Sequence, residues 1–88
     1  MNHQVISVAF DVDAQSHSDG QFSVPAEVCE ILGGLKNGDL VNLVIQSTSD
    51  EQLYAGKKSL ASGREIYGAD LKDHIKAGQR IRVTVSIS

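Results

Sequence analysis

The chain has no tryptophan, two phenylalanines, two tyrosines, one proline and one cysteine among its 88 residues. Its core must therefore be aliphatic, and a 41% hydrophobic composition is enough to exclude disorder. A single cysteine, Cys29, excludes an internal disulfide and fits a reducing, cytoplasmic setting. No apolar run approaches the ~20 residues of a membrane-spanning helix. The opening MNHQVISVAF lacks the basic stretch of a secretion signal. Catalytic signatures are missing too: there is no Ser/His/Asp order, phosphate-cradling glycine loop or dinucleotide fingerprint. His3, His17 and His74 are scattered, and with one cysteine they form no metal-ligand spacing. Asp11 and Asp13 share a strand face but have no partner base, and read as solvated carboxylates. The expectation is a non-enzyme without metal or cofactor.

What the chain does have is alternation. Ile6, Val8, Phe10 and Val12 alternate with Ser7, Ala9 and Asp11, the period of a half-buried strand. Asp19-Gly20 signals a turn, and QFSV is a short strand. Pro25 suits the first turn of a helix, in which Val28, Ile31 and Leu32 share one face. Cys29 reads as small core filler there, and Gly33-Gly34 ends the helix. After the Asn37-Gly38 turn comes the apolar strand LVNLVI. QLYAGKKSL is a further strand, with Gly56 marking a bulge or bend. REIY is a short strand. ADLKDHI reads as a second helix, with Leu71 and Ile75 on one side and His74 partly buried where the first helix has Ile31. RIRVTVSIS closes the chain with Ile81, Val83, Val85 and Ile87 inward and Arg80, Arg82, Thr84 and Ser86 outward.

The pattern is written twice. LKNGDLVNLVI at 35–45 and IKAGQRIRVTV at 75–85 align at an offset of 40. DGQFSVPAEV and SGREIYGADL align at an offset of 43, matching Gly20 to Gly63 and Val28 to Leu71. Each half, about 5–48 and 52–88, reads as strand, strand, short helix, strand. One half alone is too small to bury its sheet face and would leave open edges. Two halves about a pseudo-twofold axis can close a small barrel, so 1–88 is expected to be one mainly β domain with two short helices.

Charge divides with the halves. Residues 1–51 hold one base, Lys36, against eight acids, whereas residues 52–88 hold seven bases against three acids. That asymmetry fits either a polyanion-facing surface or complementarity that helps the halves meet.

The stretch DGQFSVPAEVCEILGGLKNGDLVNLVI resembles the swapped-hairpin barrel of the AbrB/MazE/SpoVT family, related in shape to double-psi barrels. Gly20-Gln21-Phe22-Ser23-Val24-Pro25 matches its turn-strand block, and Leu35-Lys36-Asn37-Gly38-Asp39 with the strand to Ile45 matches the second. The likeness covers residues 5–60 and continues degenerately through 61–88. It implies a barrel that binds DNA as a transcription regulator or as the operator-binding part of an antitoxin, usually as a homodimer. Where that family places arginines, this chain has Gln21 and a base-free helix; Arg64 follows Gly63 in the second copy instead. A B3-like pseudobarrel is a runner-up that no motif favours.

Two functions follow as expectations. In the first, Lys57, Lys58, Arg64, Lys72, Lys76, Arg80 and Arg82 contact the phosphates of double-stranded DNA. In the second, the barrel has lost DNA binding and docks a protein, for example a toxin-like partner. Its motive is the acidic first half.

Overall fold

The computed structural model describes residues 6–87. His3 and the first half of the stretch MNHQVISVAF lie outside the described residues. The elements are β1 (Ser7–Asp13), β2 (Gln21–Ser23), α1 (Ala26–Ile31), β3 (Leu40–Ser47), β4 (Gln52–Ser59), β5 (Glu65–Tyr67), a 3₁₀ turn (Ala69–Leu71) and β6 (Arg80–Ser86). The protein is mainly β. Four strands form one antiparallel sheet in the order β1-β6-β3-β4, and β2 pairs with β5 in a second sheet. At two corners single hydrogen bonds approach the join: Gln15 N–H donates to Gln21 O at 2.9 Å, and Ala61 N–H to Glu65 O at 2.8 Å.

The strand pairing has twofold symmetry. In the centre Leu43 faces Val85 and Ile45 faces Val83, pairs that exchange under a shift of 40, with Val44 opposite Thr84 on the axis. Phe22 faces Ile66 in the second sheet, a pairing that exchanges under a shift of 44. The edges correspond as well: Phe10 lies beside Val83 as Gly56 lies beside Leu43. Even the turns repeat. Lys36 N–H donates to Asp39 Oδ2 and Lys76 N–H to Gln79 Oε1, both at 2.9 Å, so either side chain caps the same turn.

Burial explains the alternation. Val41, Leu43 and Ile45 of β3 and Ile81, Val83 and Val85 of β6 are buried. They meet Phe22, Val24 and Ile66 from the second sheet, with Val28, Leu32, Leu71 and Ile75 closing the interior. Both sheets thus share one aliphatic core.

Several local expectations change. Helix α1 buries Val28 and Cys29, the latter as expected of core filler, but leaves Ile31 exposed, because its inward face runs through Val28, Cys29 and Leu32. Ile6, just ahead of β1, is exposed, although its carbonyl accepts the Ile87 N–H at 2.9 Å. The second helix is only a 3₁₀ turn. The slip in the repeat falls here: the shift drops from 44 at β2–β5 to 40 at β3–β6, so the β5–β6 connection is four residues shorter than the one that holds α1. His74 is accordingly exposed, its ring tilted beside that of Tyr54 at 6.2 Å. The register shift in the β3–β4 hairpin lies at Ile45/Gln46, not at Gly56. Finally, the shift of 44 pairs Gly20 with Arg64, not Gly63; both have left-handed backbone, φ 73° and 60°.

Candidate functional site

The seven cations expected to meet phosphate are not one free surface. Arg80 and Arg82 do point outward from β6, as alternation requires. Each, however, lies directly across from an aspartate of β1. Arg82 Nε donates to Asp11 Oδ1 at 2.9 Å, and Arg80 reaches Asp13 Oδ1 at 3.2 Å. Asp50, in the β3–β4 turn, adds a longer approach of 3.9 Å to Arg82. Asp11 and Asp13 are therefore ion-paired, not merely solvated. The acidic half meets the basic half along the β1–β6 ladder.

Lys58 faces inward and pairs with Asp70 at 2.5 Å, its side chain only 20% exposed. Among the described residues, Lys57, Arg64, Lys72 and Lys76 have no carboxylate partner within 4.0 Å. Lys57 stands outward on β4 opposite Asn42. Lys76 Nζ donates to the Lys72 carbonyl at 3.3 Å, which keeps those two together. Arg64 Nε donates to Val24 O at 3.1 Å. Burial pushes the Cys29 thiol up, opposed in part by the charge of Arg64.

The Arg82 hydrogen bond holds the Asp11 carboxyl below its ordinary 3.8, and the Lys58 hydrogen bond does the same for Asp70. Depressed carboxylates stabilise the fold above their unfolded pKa and lose that contribution as pH falls through the folded value. The melting temperature should therefore drop as pH falls below about 4. A calorimetric series checks this, and Asp11→Asn with Asp70→Asn should flatten the drop.

The inward face of β4 breaks the twofold symmetry. β1 offers Val8, Phe10 and Val12, whereas β4 offers Tyr54, Gly56 and Lys58 at the corresponding places. Tyr54 covers the glycine: a Cβ on Gly56 would lie 2.6 Å from the Tyr54 hydroxyl. That hydroxyl donates to Asp70 Oδ2 at 3.0 Å, so Tyr54, Lys58 and Asp70 form one polar cluster. Burial, then the neighbouring carboxylate, pushes the tyrosine pKa up. The carboxylate is half exposed, so the cluster shows no dry site for chemistry.

A cleft of about 390 Å³ opens at the seam between the halves, lined by Ser18 to Gln21 on one side and by Tyr67 to Ala69 and Lys72 on the other. Ser18 Oγ donates to Gln21 Oε1, and Gln21 Nε2 to Glu65, which fixes one wall. Asp19 Oδ1 accepts the Ala77 N–H at 2.8 Å, leaving its second oxygen without a partner among the described residues. Lys72, expected among the phosphate-facing bases, lines this cleft, which the sequence did not reveal because Gly20 and Gly68 read as turn glycines. Among the described residues no group of His, Cys, Asp and Glu could hold a metal ion, and no helix is long and apolar enough to cross a membrane.

The class defined by this geometry is a mainly β domain of two corresponding halves. No family model matches the chain, and no curated protein does. Its fold is similar to the solution structure of PHS018 from Pyrococcus horikoshii, at 20% identity and a TM-score of 0.70 over 92% of this chain and 90% of that one. At that identity the likeness speaks for the fold alone.

Proposed function

We propose that this chain is a non-catalytic protein-docking domain on a small barrel like that of the AbrB/MazE/SpoVT proteins. One observation carries it: the strand arginines that would face DNA are each held by an aspartate of the opposite half. A phosphate would have to displace a carboxylate already in place, and Asp11 and Asp13 would add repulsion. The two corner hydrogen bonds and the shared core support the closed barrel.

The second reading, a DNA-binding regulator or antitoxin-like module, is favoured by Lys57, Arg64, Lys72 and Lys76, which have no carboxylate partner among the described residues. Titrating the protein against mixed-sequence duplex DNA at low and physiological salt separates the two. Docking predicts no saturable duplex binding at either salt, and a discrete protein complex of fixed stoichiometry on native mass measurement. Tight binding that weakens steeply with salt and is lost in the Lys57→Ala/Lys72→Ala/Lys76→Ala variant would establish the DNA reading instead.

A further inference from the structure

Asn37-Gly38, which the fold uses as a turn, also sets a carboxamide beside a backbone nitrogen that no side chain shields. Both residues are exposed, and Gly38, at φ 95°, has nothing within 4 Å of where a Cβ would stand. Solvent therefore reaches the two groups that could react. Asn42 offers no such opening: it lies half-buried in β3, and the residue after it is the buried Leu43. The site belongs to one half only, because the shift of 40 puts Ala77 where Asn37 stands, ahead of Gly78. Asn2 lies outside the described residues.

What restrains the reaction is the strand ladder. Gly38 N–H donates to Leu60 O at 2.8 Å, and Leu60 N–H donates in return to Asp39 O at 2.9 Å. These two bonds continue the β3–β4 pairing beyond Leu40 and Ser59. Asp39 also closes the turn, its N–H donating to Lys36 O at 3.0 Å while its Oδ2 accepts the Lys36 N–H. The Gly38 nitrogen is thus engaged while the ladder end is closed and released when that end frays. Such local opening costs far less than unfolding the domain.

We propose that Asn37 is a site of spontaneous deamidation, timed by the opening of the β3–β4 ladder at Leu60. In the open turn the Gly38 nitrogen attacks Asn37 Cγ, the Cγ–Nδ2 bond breaks, and ammonia leaves carrying the proton that the backbone nitrogen gives up. Water then opens the resulting five-membered succinimide at either carbonyl, leaving aspartate or isoaspartate at position 37. Isoaspartate routes the chain through the former side chain and lengthens the turn by one carbon. Either product adds a carboxylate close to Asp39, in the half that is already acidic. The inference stands apart from the docking reading.

The experiment incubates the full chain at mildly alkaline pH, folded in buffer and unfolded in guanidinium chloride, and follows proteolytic peptides by mass spectrometry. A gain of one mass unit at Asn37, divided between aspartate and isoaspartate, is expected in the folded protein, with Asn42 unchanged. The folded chain should react about tenfold more slowly than the unfolded one, because opening the ladder end forfeits the net worth of one or two hydrogen bonds. Asp39→Ala removes the side-chain contact to Lys36 and should bring the folded rate about threefold closer to that of its own unfolded chain. Gly38→Ala should slow the unfolded chain, since its methyl group shields the attacking nitrogen. No gain at Asn37 in folded protein, over a period that converts the unfolded chain, overturns the proposal. So does a folded rate equal to the unfolded one, which would leave the ladder no part in the timing.

Discussion

Replacing Phe22 by alanine should destabilise the domain by about 3–5 kcal/mol. The ring is fully buried, yet it sits on a strand of only three residues, whose sole ladder is the pairing with β5. Nothing nearby can move in: Ile66 and Val24 are themselves at 0% and 1% exposure and already packed. A small domain has about 5–15 kcal/mol in total, so a loss of this size is a large share of it and the unfolding midpoint should fall steeply. Urea unfolding followed by circular dichroism reads the loss directly. Ile31→Ala is the control. That side chain is 52% exposed, so its loss should stay within about 0.5 kcal/mol.

Gly20→Ala should cost about 2–4 kcal/mol, from backbone strain and a steric clash together. The residue has φ 73°, and an added Cβ would lie 2.7 Å from the Lys72 nitrogen and 2.9 Å from the Leu71 carbonyl carbon. Those are backbone atoms of the 3₁₀ turn and cannot swing aside. Gly78 separates the two effects. Its φ is also 73°, but a Cβ there would meet nothing within 4 Å. Gly78→Ala should therefore cost only about 1 kcal/mol, the strain alone. Thermal unfolding of the two variants side by side checks the difference.

The legible parts of this fold were those governed by local rules. Alternation in VNLVI and RVTV marks strands because one face of each is dry, and the shared offset of 40 reports their equivalence about the axis. The capped turns at Asp39 and Gln79 follow from residues three apart. What was not legible depends on partners far along the chain. The Arg82–Asp11 pair spans 71 residues, so the arginines looked available for phosphate when cross-strand carboxylates already held them. Their joint pattern, DVD on the edge strand β1 and RIR on its neighbour β6, was the signal: opposite charges at alternate positions on strands that can pair. The one-residue difference between shifts of 43 and 44 could not be seen either, since Gly63 and Arg64 both adopt the left-handed backbone that glycine usually marks. Nor could the polar cluster under β4. Gly56 reads as a bend in isolation, whereas folding places Tyr54 over it and Asp70 beside Lys58.

The central claim is that two corresponding halves of one chain meet along β3 and β6. The most direct test places cysteines at Val44 and Thr84, the facing pair on the axis, with Cys29→Ala to remove the free thiol. Facing positions on antiparallel strands are about 4.5–5.5 Å apart at Cα, within disulfide range. Mild oxidation at low protein concentration should give a monomeric, internally bridged chain at near-complete yield. A covalent dimer, or two thiols that stay free in folded protein, would contradict the pairing.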